Sequence, residues 1–389
     1  MSKPAGSSPH TRTHLELTYR EDLPDTHSLD PYLQQFWARH LAPARRCGLF
    51  PPHHSEPVSS IWLVEYVVRV GCANVPAIGF AAGATQPHYR RRGFFTELMS
   101  EAMVRASTSA PIAFLKGIDG FYKRLGFVPF CPERKFRLPR GVLANFRADA
   151  PDSIQLWEDR YKADACALYN QQHAHRTGTT VRDPARFLGP RATNSWMPGD
   201  EAAVCLRRGQ LVGYVFTTHL PFGQSWRRFE VREIVAADLA AASALLAHVR
   251  ELAVRARRGN IEIDEPPDSV VGGLLRLTTC TFRERNSADG GWMAVVLDRR
   301  RLIDLIGPEL DRRFSSGSAP ATRALRTGNL LTDTAALTHA LLRPNGWAEI
   351  DQLVSAERRG SYWPEFRARC AAGVAEAMPT PFLHASDRF

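Results

Sequence analysis

Three consecutive arginines and a glycine, Arg90, Arg91, Arg92 and Gly93, form the part of the sequence best suited to bind an anion. They follow a predicted strand that ends near Thr85 and lead directly into a predicted helix. A helix start presents unpaired backbone N–H groups and the positive end of the helix dipole, which suit a pyrophosphate. The glycine lets the backbone approach the phosphates, and each arginine adds hydrogen bonds worth about 1.5–3 kcal/mol. Taken alone, these residues fit a solvated basic turn equally well.

A second motif follows the next short strand and reads Phe-Tyr-x-x-Leu-Gly-Phe over residues 121–127. It could place the hydroxyl of Tyr122 near the basic turn. A tyrosine that only packs in a helical turn is the alternative. The two motifs at this spacing are more specific together than either is alone.

The elements around these motifs predict an α/β fold. Strands over residues 62–70 and up to Thr85, a helix over 93–107 and a strand over 111–115 position the two motifs. A second segment from Pro151 repeats the order of strand, strand, helix and strand without repeating the sequence. A third segment begins near Asp298 with a helix over 302–314, which we expect Gly307 and Pro308 to interrupt.

The size and composition are those of an ordinary globular protein. The chain has 389 residues, of which 44% are hydrophobic and 23% charged, and this length predicts two or three domains. No apolar run is long enough for a transmembrane helix, and residues 1–14 lack the apolar stretch of a secretory signal. We therefore expect a cytoplasmic protein with no membrane partner.

Cysteine usage and charge argue against metal and nucleic-acid binding. The seven cysteines are scattered, odd in number and form no C-x-x-C pair, which favours reduced thiols and no bound metal. Fifty Lys and Arg residues against forty Asp and Glu residues give a net charge of +10, which could indicate a nucleic-acid partner. Because the basic clusters are short and separated by acidic residues, we expect none.

The two motifs resemble those of the GCN5-related N-acetyltransferase (GNAT) superfamily. The arginine and glycine turn matches its pyrophosphate loop for acetyl-coenzyme A, and the second motif matches its later tyrosine motif. The whole chain resembles the enhanced intracellular survival (Eis-type) acetyltransferases. In particular, residues 229–236 with the Ala- and Leu-rich helix after them resemble the middle domain of that group, and residues 292–304 resemble the passage into its third domain.

The resemblance implies an α/β (α+β) architecture of three domains. A catalytic GNAT domain would span residues 15–150 and a second, degenerate GNAT domain residues 151–297. Each would be a mixed, mostly antiparallel sheet flanked by helices. A sterol-carrier-protein-like α/β domain would span residues 298–389. The resemblance also implies a homo-oligomer, in this group a hexamer.

The implied activity is transfer of an acetyl group from acetyl-coenzyme A, as co-substrate, to an amine. Tyr122 would be the general acid that protonates the leaving thiolate, since tyrosine has a reference pKa of about 10 and a thiol about 8.5. A backbone N–H near Thr85 would stabilise the oxyanion. The implied cofactor-binding residues are Gly83, Ala84, Thr85, Arg90, Arg91, Arg92, Gly93, Phe94 and Gly117.

The base and the acceptor stay open at this stage. In Eis-type enzymes the C-terminal carboxylate serves as base, which implies Phe389 here, and Glu65 is the fallback. Asp25 and Asp30 could attract a cationic amine and Trp37 could line the acceptor pocket, although helix capping by Asp30 and core packing by Trp37 are alternatives. The resemblance implies an aminoglycoside-like or polyamine-like small molecule, or a lysine side chain, as acceptor. A non-catalytic acyl-coenzyme A sensor, or an acyltransferase with another donor or a natural-product or peptide acceptor, is the alternative function.

Overall fold

The computed structural model describes residues 17–21, 44–118, 120–148, 151–187, 189–192, 201–218, 228–285 and 290–313. These residues form two seven-stranded sheets with helices packed against them. The first seven strands are β1 (Thr18–Arg20), β2 (Ala44–Phe50), β3 (Ser59–Val70), β4 (Ala73–Thr85), β5 (Ile112–Gly117), β6 (Val128–Cys131) and β7 (Glu133–Pro139). The other seven are β8 (Asp152–Leu156), β9 (Ala202–Arg207), β10 (Gln210–Thr218), β11 (Arg228–Ala236), β12 (Asn260–Ile263), β13 (Thr281–Arg285) and β14 (Gly291–Val296).

The two sheets exchange one strand in each direction. The first sheet has the order β1-β2-β3-β4-β5-β14-β6, and the second has the order β13-β7-β12-β11-β10-β9-β8. Strand β14, from late in the chain, thus lies inside the first sheet, and β7, from early in the chain, lies inside the second. The predicted domain boundaries at residues 150 and 297 stay predictions; each sheet contains strands from both sides of residue 150.

Each sheet is antiparallel except for one parallel pair. In the first sheet β4 and β5 run parallel, and in the second sheet β11 and β12 do so. A long helix connects the two strands of each pair, as a parallel connection requires. The predicted class of mixed, mostly antiparallel sheets flanked by helices is confirmed for the described residues, and so is the repeated order of elements.

The helices connect these strands and cover the sheets. Helix α1 buries Leu98, Met99, Ala102 and Ala106 against the first sheet, a spacing that places them on one face. The long helix α3 buries its Ala and Leu residues against the second sheet. The helices are α1 (Phe94–Ser109), α2 (Lys162–Gln172), α3 (Leu239–Arg255), α4 (Val270–Arg276) and α5 (Arg299–Arg313).

Helix α5 corrects one sequence-based expectation. It runs from Arg299 to Arg313 without ending at Gly307 and Pro308, so the predicted interruption is wrong. A proline removes one backbone hydrogen bond from a helix. Burial of the preceding side chains Leu302, Ile303 and Ile306 offsets that loss. Residues 314–389, the rest of the expected sterol-carrier-like domain over residues 298–389, lie outside the described residues. Among the described helices, none combines the length and apolar content needed to cross a bilayer.

Candidate functional site

A bulge bends β4 just before the basic turn. Ser60 of β3 pairs with Ala84, whereas Trp62 pairs with Ala81, so two residues of β4 lie opposite one residue of β3. The two residues of the bulge are Ala82 and Gly83, and Ala82 has a positive φ of 47°. A β-bulge increases the local bend of a strand and is often found beside a binding site. Here it lies directly before the last residues of β4, Ala84 and Thr85.

Beyond the bulge, β4 separates from its parallel neighbour β5. The two strands pair only over residues 77–79 of β4 and 112–114 of β5. Strand β4 continues along β3 to Thr85, while β5 continues along β14 to Gly117. The strands therefore part beyond Gly79, and the opening between them leaves main-chain groups of residues 80–85 outside the β4–β5 ladder. Such groups can donate hydrogen bonds to a ligand that enters the opening.

Two glycines form the walls of this opening. Gly83 lies on the β4 side, and a Cβ atom there would overlap the ring of Phe95. Gly117 lies at the end of β5, where a Cβ atom would stand 2.6 Å from Sδ of Met293 and 3.0 Å from Cδ2 of Tyr122. A side chain of α1 thus packs closely on Gly83, and side chains of β14 and of the turn after β5 pack closely on Gly117.

The basic turn leads into an open helix start. Gly93 precedes α1 in the left-handed conformation, with φ 90°, and no side chain caps the helix. The first backbone hydrogen bond of the helix runs from the N–H of Glu97 to the carbonyl of Gly93, over 3.1 Å. The N–H groups of the first turn are therefore available to an anion, as the sequence predicted.

The three arginines of the turn are exposed. Nε of Arg90 donates to the carbonyl of Thr85 over 3.1 Å, and the guanidinium of Arg92 lies 5.7 Å from the centre of the Tyr89 ring. Arg91 has a positive φ of 62°. None of the three forms an ion pair with a carboxylate of the described residues, so their charge faces solvent beside the open helix start.

Tyr122 begins a short 3₁₀ turn, Tyr122–Leu125, directly beside the opening. Its half-buried ring makes edge contacts with Phe95, Phe121 and Phe127, with centroids 6.5, 4.9 and 6.0 Å away. Burial raises the pKa of Tyr122 above the ordinary tyrosine value, so the hydroxyl carries its proton at neutral pH. The close approach to Gly117 places the ring of Tyr122 at the end of β5.

Glu65 lies near the closed end of the opening. It pairs across the sheet with Ile78, one residue before the last β4 residue that pairs with β5. Its carboxylate is 54% exposed and stands 3.8 Å from Nη2 of Arg45. From Ile78 to Gly83 the strand advances about 16 Å at 3.3 Å per residue. The structure therefore does not bring Glu65 beside the bulge, and its role as fallback base stays a prediction.

The equivalent helix start in the second sheet is closed. Helix α3 begins after Asp238, whose carboxylate accepts a hydrogen bond from the N–H of Ala241 over 2.9 Å. Arg207 binds both Asp238 and Asp152 through contacts of 2.6 Å and lowers the pKa of Asp238. An aspartate fixed at this helix start occupies the position that an anion would need.

A buried ion pair follows the parallel strands of the second sheet. Strand β11 pairs with β12 only up to Val231, and Glu233 comes two residues later. Glu233 is fully buried and pairs with Arg182 at 2.5 Å. In the first sheet, the opening lies beyond the last parallel pair of β4 and β5. In the second sheet, the ion pair of Glu233 lies at the corresponding place beyond the last parallel pair of β11 and β12.

Several predicted residues lie outside the described part of the chain: Asp25, Asp30, Trp37 and Phe389. The sequence analysis did not predict two side chains of the site, Phe95 and Met293. Phe95 stands two residues after Gly93, and its position in the first helical turn is a signal that could have placed it near the preceding strand. Met293 reaches the site only because β14 pairs with β5, and no local pattern indicates that pairing.

The comparisons with known proteins agree with this geometry. Residues 12–130 match the family model described as an acetyltransferase (GNAT) domain. Among solved structures, Eis1 from Mycobacterium abscessus aligns over 96% of this chain and 100% of its own, with 18% identity and a TM-score of 0.61. A search of curated protein sequences finds no match.

Two further solved structures align over most of the chain. The GCN5-related N-acetyltransferase from Kribbella flavida covers 74% of each chain, with 18% identity and a TM-score of 0.56. The GCN5-related N-acetyltransferase from Anabaena variabilis covers 74% of this chain and 75% of its own, with 14% identity and a TM-score of 0.59. At these identities the likeness establishes a shared fold. The predicted GNAT resemblance is confirmed for the domain at residues 12–130, while the Eis-type assignment and the sterol-carrier domain stay predictions.

Proposed function

We propose that the chain is an acetyl-coenzyme A-dependent N-acetyltransferase that acts on an amine. The observation that carries the proposal is the opening between β4 and β5, which leads to the uncapped start of α1 beside three exposed arginines. An extended thioester arm suits a gap between strands, and a pyrophosphate suits the helix start. The match of residues 12–130 to an acetyltransferase domain supports the same activity.

The proposed reaction is direct attack of a neutral amine on the thioester carbon. As the carbon–nitrogen bond forms, the carbonyl oxygen becomes an oxyanion, which a backbone N–H of residues 83–85 stabilises. The carbon–sulfur bond then breaks, and coenzyme A leaves as a thiolate. Tyr122 donates its proton to that sulfur and is reprotonated as the acetylated nitrogen loses its proton to solvent or to the base, a role supported by its place beside Gly117 and by its raised pKa.

The general base is proposed to be the carboxylate of Phe389, with Glu65 as the fallback. A terminal carboxyl has a reference pKa of about 3.3–3.7 and is ionised at neutral pH, so it can accept a proton from an ammonium and attract a cationic acceptor. We propose an aminoglycoside-like or polyamine-like amine, or a lysine side chain, as acceptor, in a cytoplasmic homo-oligomer. A light-scattering mass equal to one chain would remove the assembly proposal without affecting the catalytic one.

Deletion of Phe389 is expected to lower turnover at least tenfold without changing coenzyme A affinity, because it withdraws the carboxylate from its position. Phe389→Leu keeps a terminal carboxylate at the same place and is the matched control, expected to retain most activity. Steady-state kinetics and calorimetry provide the two measurements. Full activity of the deletion variant, together with a loss of activity in Glu65→Gln, would transfer the role of base to Glu65.

Gly117→Ala is expected to lower turnover about tenfold, because the new methyl group would press on Tyr122 and Met293 and displace the proton donor. Gly141→Ala is the matched control, since a Cβ atom there meets no atom within 4 Å. Steady-state kinetics with saturating acetyl-coenzyme A measure the effect. Equal turnover in the two variants would show that the wall at Gly117 does not position the catalytic group.

Two alternative functions remain testable against this proposal: an acyl-coenzyme A sensor without turnover, and an acyltransferase with another donor or a natural-product or peptide acceptor. A mass-spectrometric screen of amines incubated with enzyme and acetyl-coenzyme A should yield an acetylated product. Binding without any product would favour the sensor. A clear preference for longer acyl-coenzyme A donors would favour the other acyltransferase.

A further inference from the structure

A cysteine and a histidine meet far from the candidate active site. Cys72 lies in the tight turn between β3 and β4, and its Sγ is in hydrogen-bond contact with Nδ1 of His175. The cysteine is partly exposed and the histidine exposed. The site lies at the start of β4, whereas the opening follows the other end of the strand. A thiol in contact with an imidazole is the arrangement that activates cysteine as a nucleophile.

The backbone around the pair is held in place on both sides. Residues 178–181 lie along β3, with the N–H of Arg69 donating to the carbonyl of Thr179 and the N–H of Gly178 donating to the carbonyl of Arg69, both over 2.8 Å. Next to the cysteine, the N–H of Gly71 donates to Oγ1 of Thr177 over 2.9 Å. These bonds fix the turn against the chain that carries His175, so the thiol and the imidazole are preorganised.

Two features describe the surroundings of His175. It follows the last residue of α2 by three positions, near the negative end of that helix dipole. The neighbouring Arg176 is occupied by Asp268, with Nη1 2.8 Å from Oδ1.

Two other partly exposed cysteines have a backbone carbonyl as a partner. Cys131 and Cys280 are also partly exposed, but each donates its S–H to a backbone carbonyl, of Pro132 over 3.7 Å and of Leu275 over 3.3 Å. A carbonyl oxygen, unlike an imidazole, cannot act as the base that removes the thiol proton. The remaining three described cysteines are buried, and burial raises the pKa of Cys205 to about 12; they are Cys47, Cys166 and Cys205.

We propose that Cys72 is a modification site that forms mixed disulfides with small disulfides, with His175 as its base. His175 takes the thiol proton, and the Cys72 thiolate attacks one sulfur of the disulfide. The new sulfur–sulfur bond forms as the old one breaks. The displaced thiolate takes the proton from His175 and leaves as a thiol, so the step needs no further oxidant and is reversed by excess thiol.

The test is reaction of the full chain with oxidised glutathione at pH 7, followed by peptide mass mapping. Cys72 is expected to react at least tenfold faster than Cys131 or Cys280, because its thiol is in contact with an imidazole that can take the proton. His175→Asn should reduce the Cys72 rate about tenfold and leave the rates of the other two cysteines unchanged. His53→Asn, in an exposed loop, is the matched control and should change none of them.

Two results would overturn the proposal. One is equal reaction rates of Cys72, Cys131 and Cys280 in the unaltered chain, a comparison that needs no variant. The other is a Cys72 rate that His175→Asn leaves unchanged. If the variant failed to fold, the buried Cys47 and Cys166 would also react, and the comparison within the unaltered chain would then decide.

Discussion

Tyr122→Phe is expected to lower turnover by about two orders of magnitude, the usual scale of general acid catalysis. The substitution keeps the ring that packs against Phe95, Phe121 and Phe127 and removes only the hydroxyl. Coenzyme A affinity, measured by calorimetry, should therefore barely change. Because burial raises the pKa of Tyr122, the alkaline loss of wild-type activity that belongs to this group should fall above the ordinary value of about 10.

Tyr89→Phe is the matched control for this experiment. Tyr89 also lies beside the basic turn and packs against Phe94, with ring centroids 6.0 Å apart, but it does not contact the Gly117 wall. Its variant should retain turnover within about a factor of two or three of the wild type, because the substitution keeps the ring and its packing against Phe94. If Tyr122→Phe turns over as fast as Tyr89→Phe, the tyrosine only packs and another group protonates the thiolate.

Replacing both Arg90 and Arg91 with alanine is expected to weaken coenzyme A binding at least tenfold. Each lost phosphate contact is worth about 1.5–3 kcal/mol, and about 1.4 kcal/mol corresponds to a factor of ten. Because neither arginine is neutralised by a described carboxylate, the loss should be largest at low ionic strength and decrease as salt screens the remaining charges. Calorimetry at two salt concentrations measures both effects.

The matched control removes two arginines elsewhere. Arg208 and Arg257 are exposed and have positive φ values of 51° and 53°, close to the 62° of Arg91. Alanine at these positions gives the same change in net charge and also tests alanine at a positive φ, without touching the turn. An equal loss of affinity in both double variants would show that overall charge, and not this turn, holds the pyrophosphate.

The local parts of the site were predictable because short-range chemistry determines them. The open helix start at Gly93 follows from an arginine and glycine turn between a strand and an apolar helix, and the turn at Tyr122 follows from a compact aromatic and glycine pattern. The bulge at Ala82 was not predictable, since alanine rarely adopts a positive φ and only the pairing with β3 imposes it.

The long-range parts of the fold could not be derived in this way. Strand β14 enters the first sheet between β5 and β6, and β7 enters the second between β13 and β12. Each strand reads as an ordinary apolar or alternating segment, and its partner is chosen by packing across more than 100 residues of chain. This exchange brings Met293 to the Gly117 wall, so a contact of the site depends on a strand that local patterns assign elsewhere.

The most direct test of the proposed activity is the rate at which free thiol appears when the full chain is mixed with acetyl-coenzyme A and a polyamine. We expect thiol release that depends on the amine, saturates with it, and far exceeds the slow hydrolysis seen without it. Release at the same rate with and without a panel of polyamines, aminoglycosides and lysine peptides, despite saturable acetyl-coenzyme A binding, would contradict the account and leave a protein that binds the thioester without transferring its acetyl group.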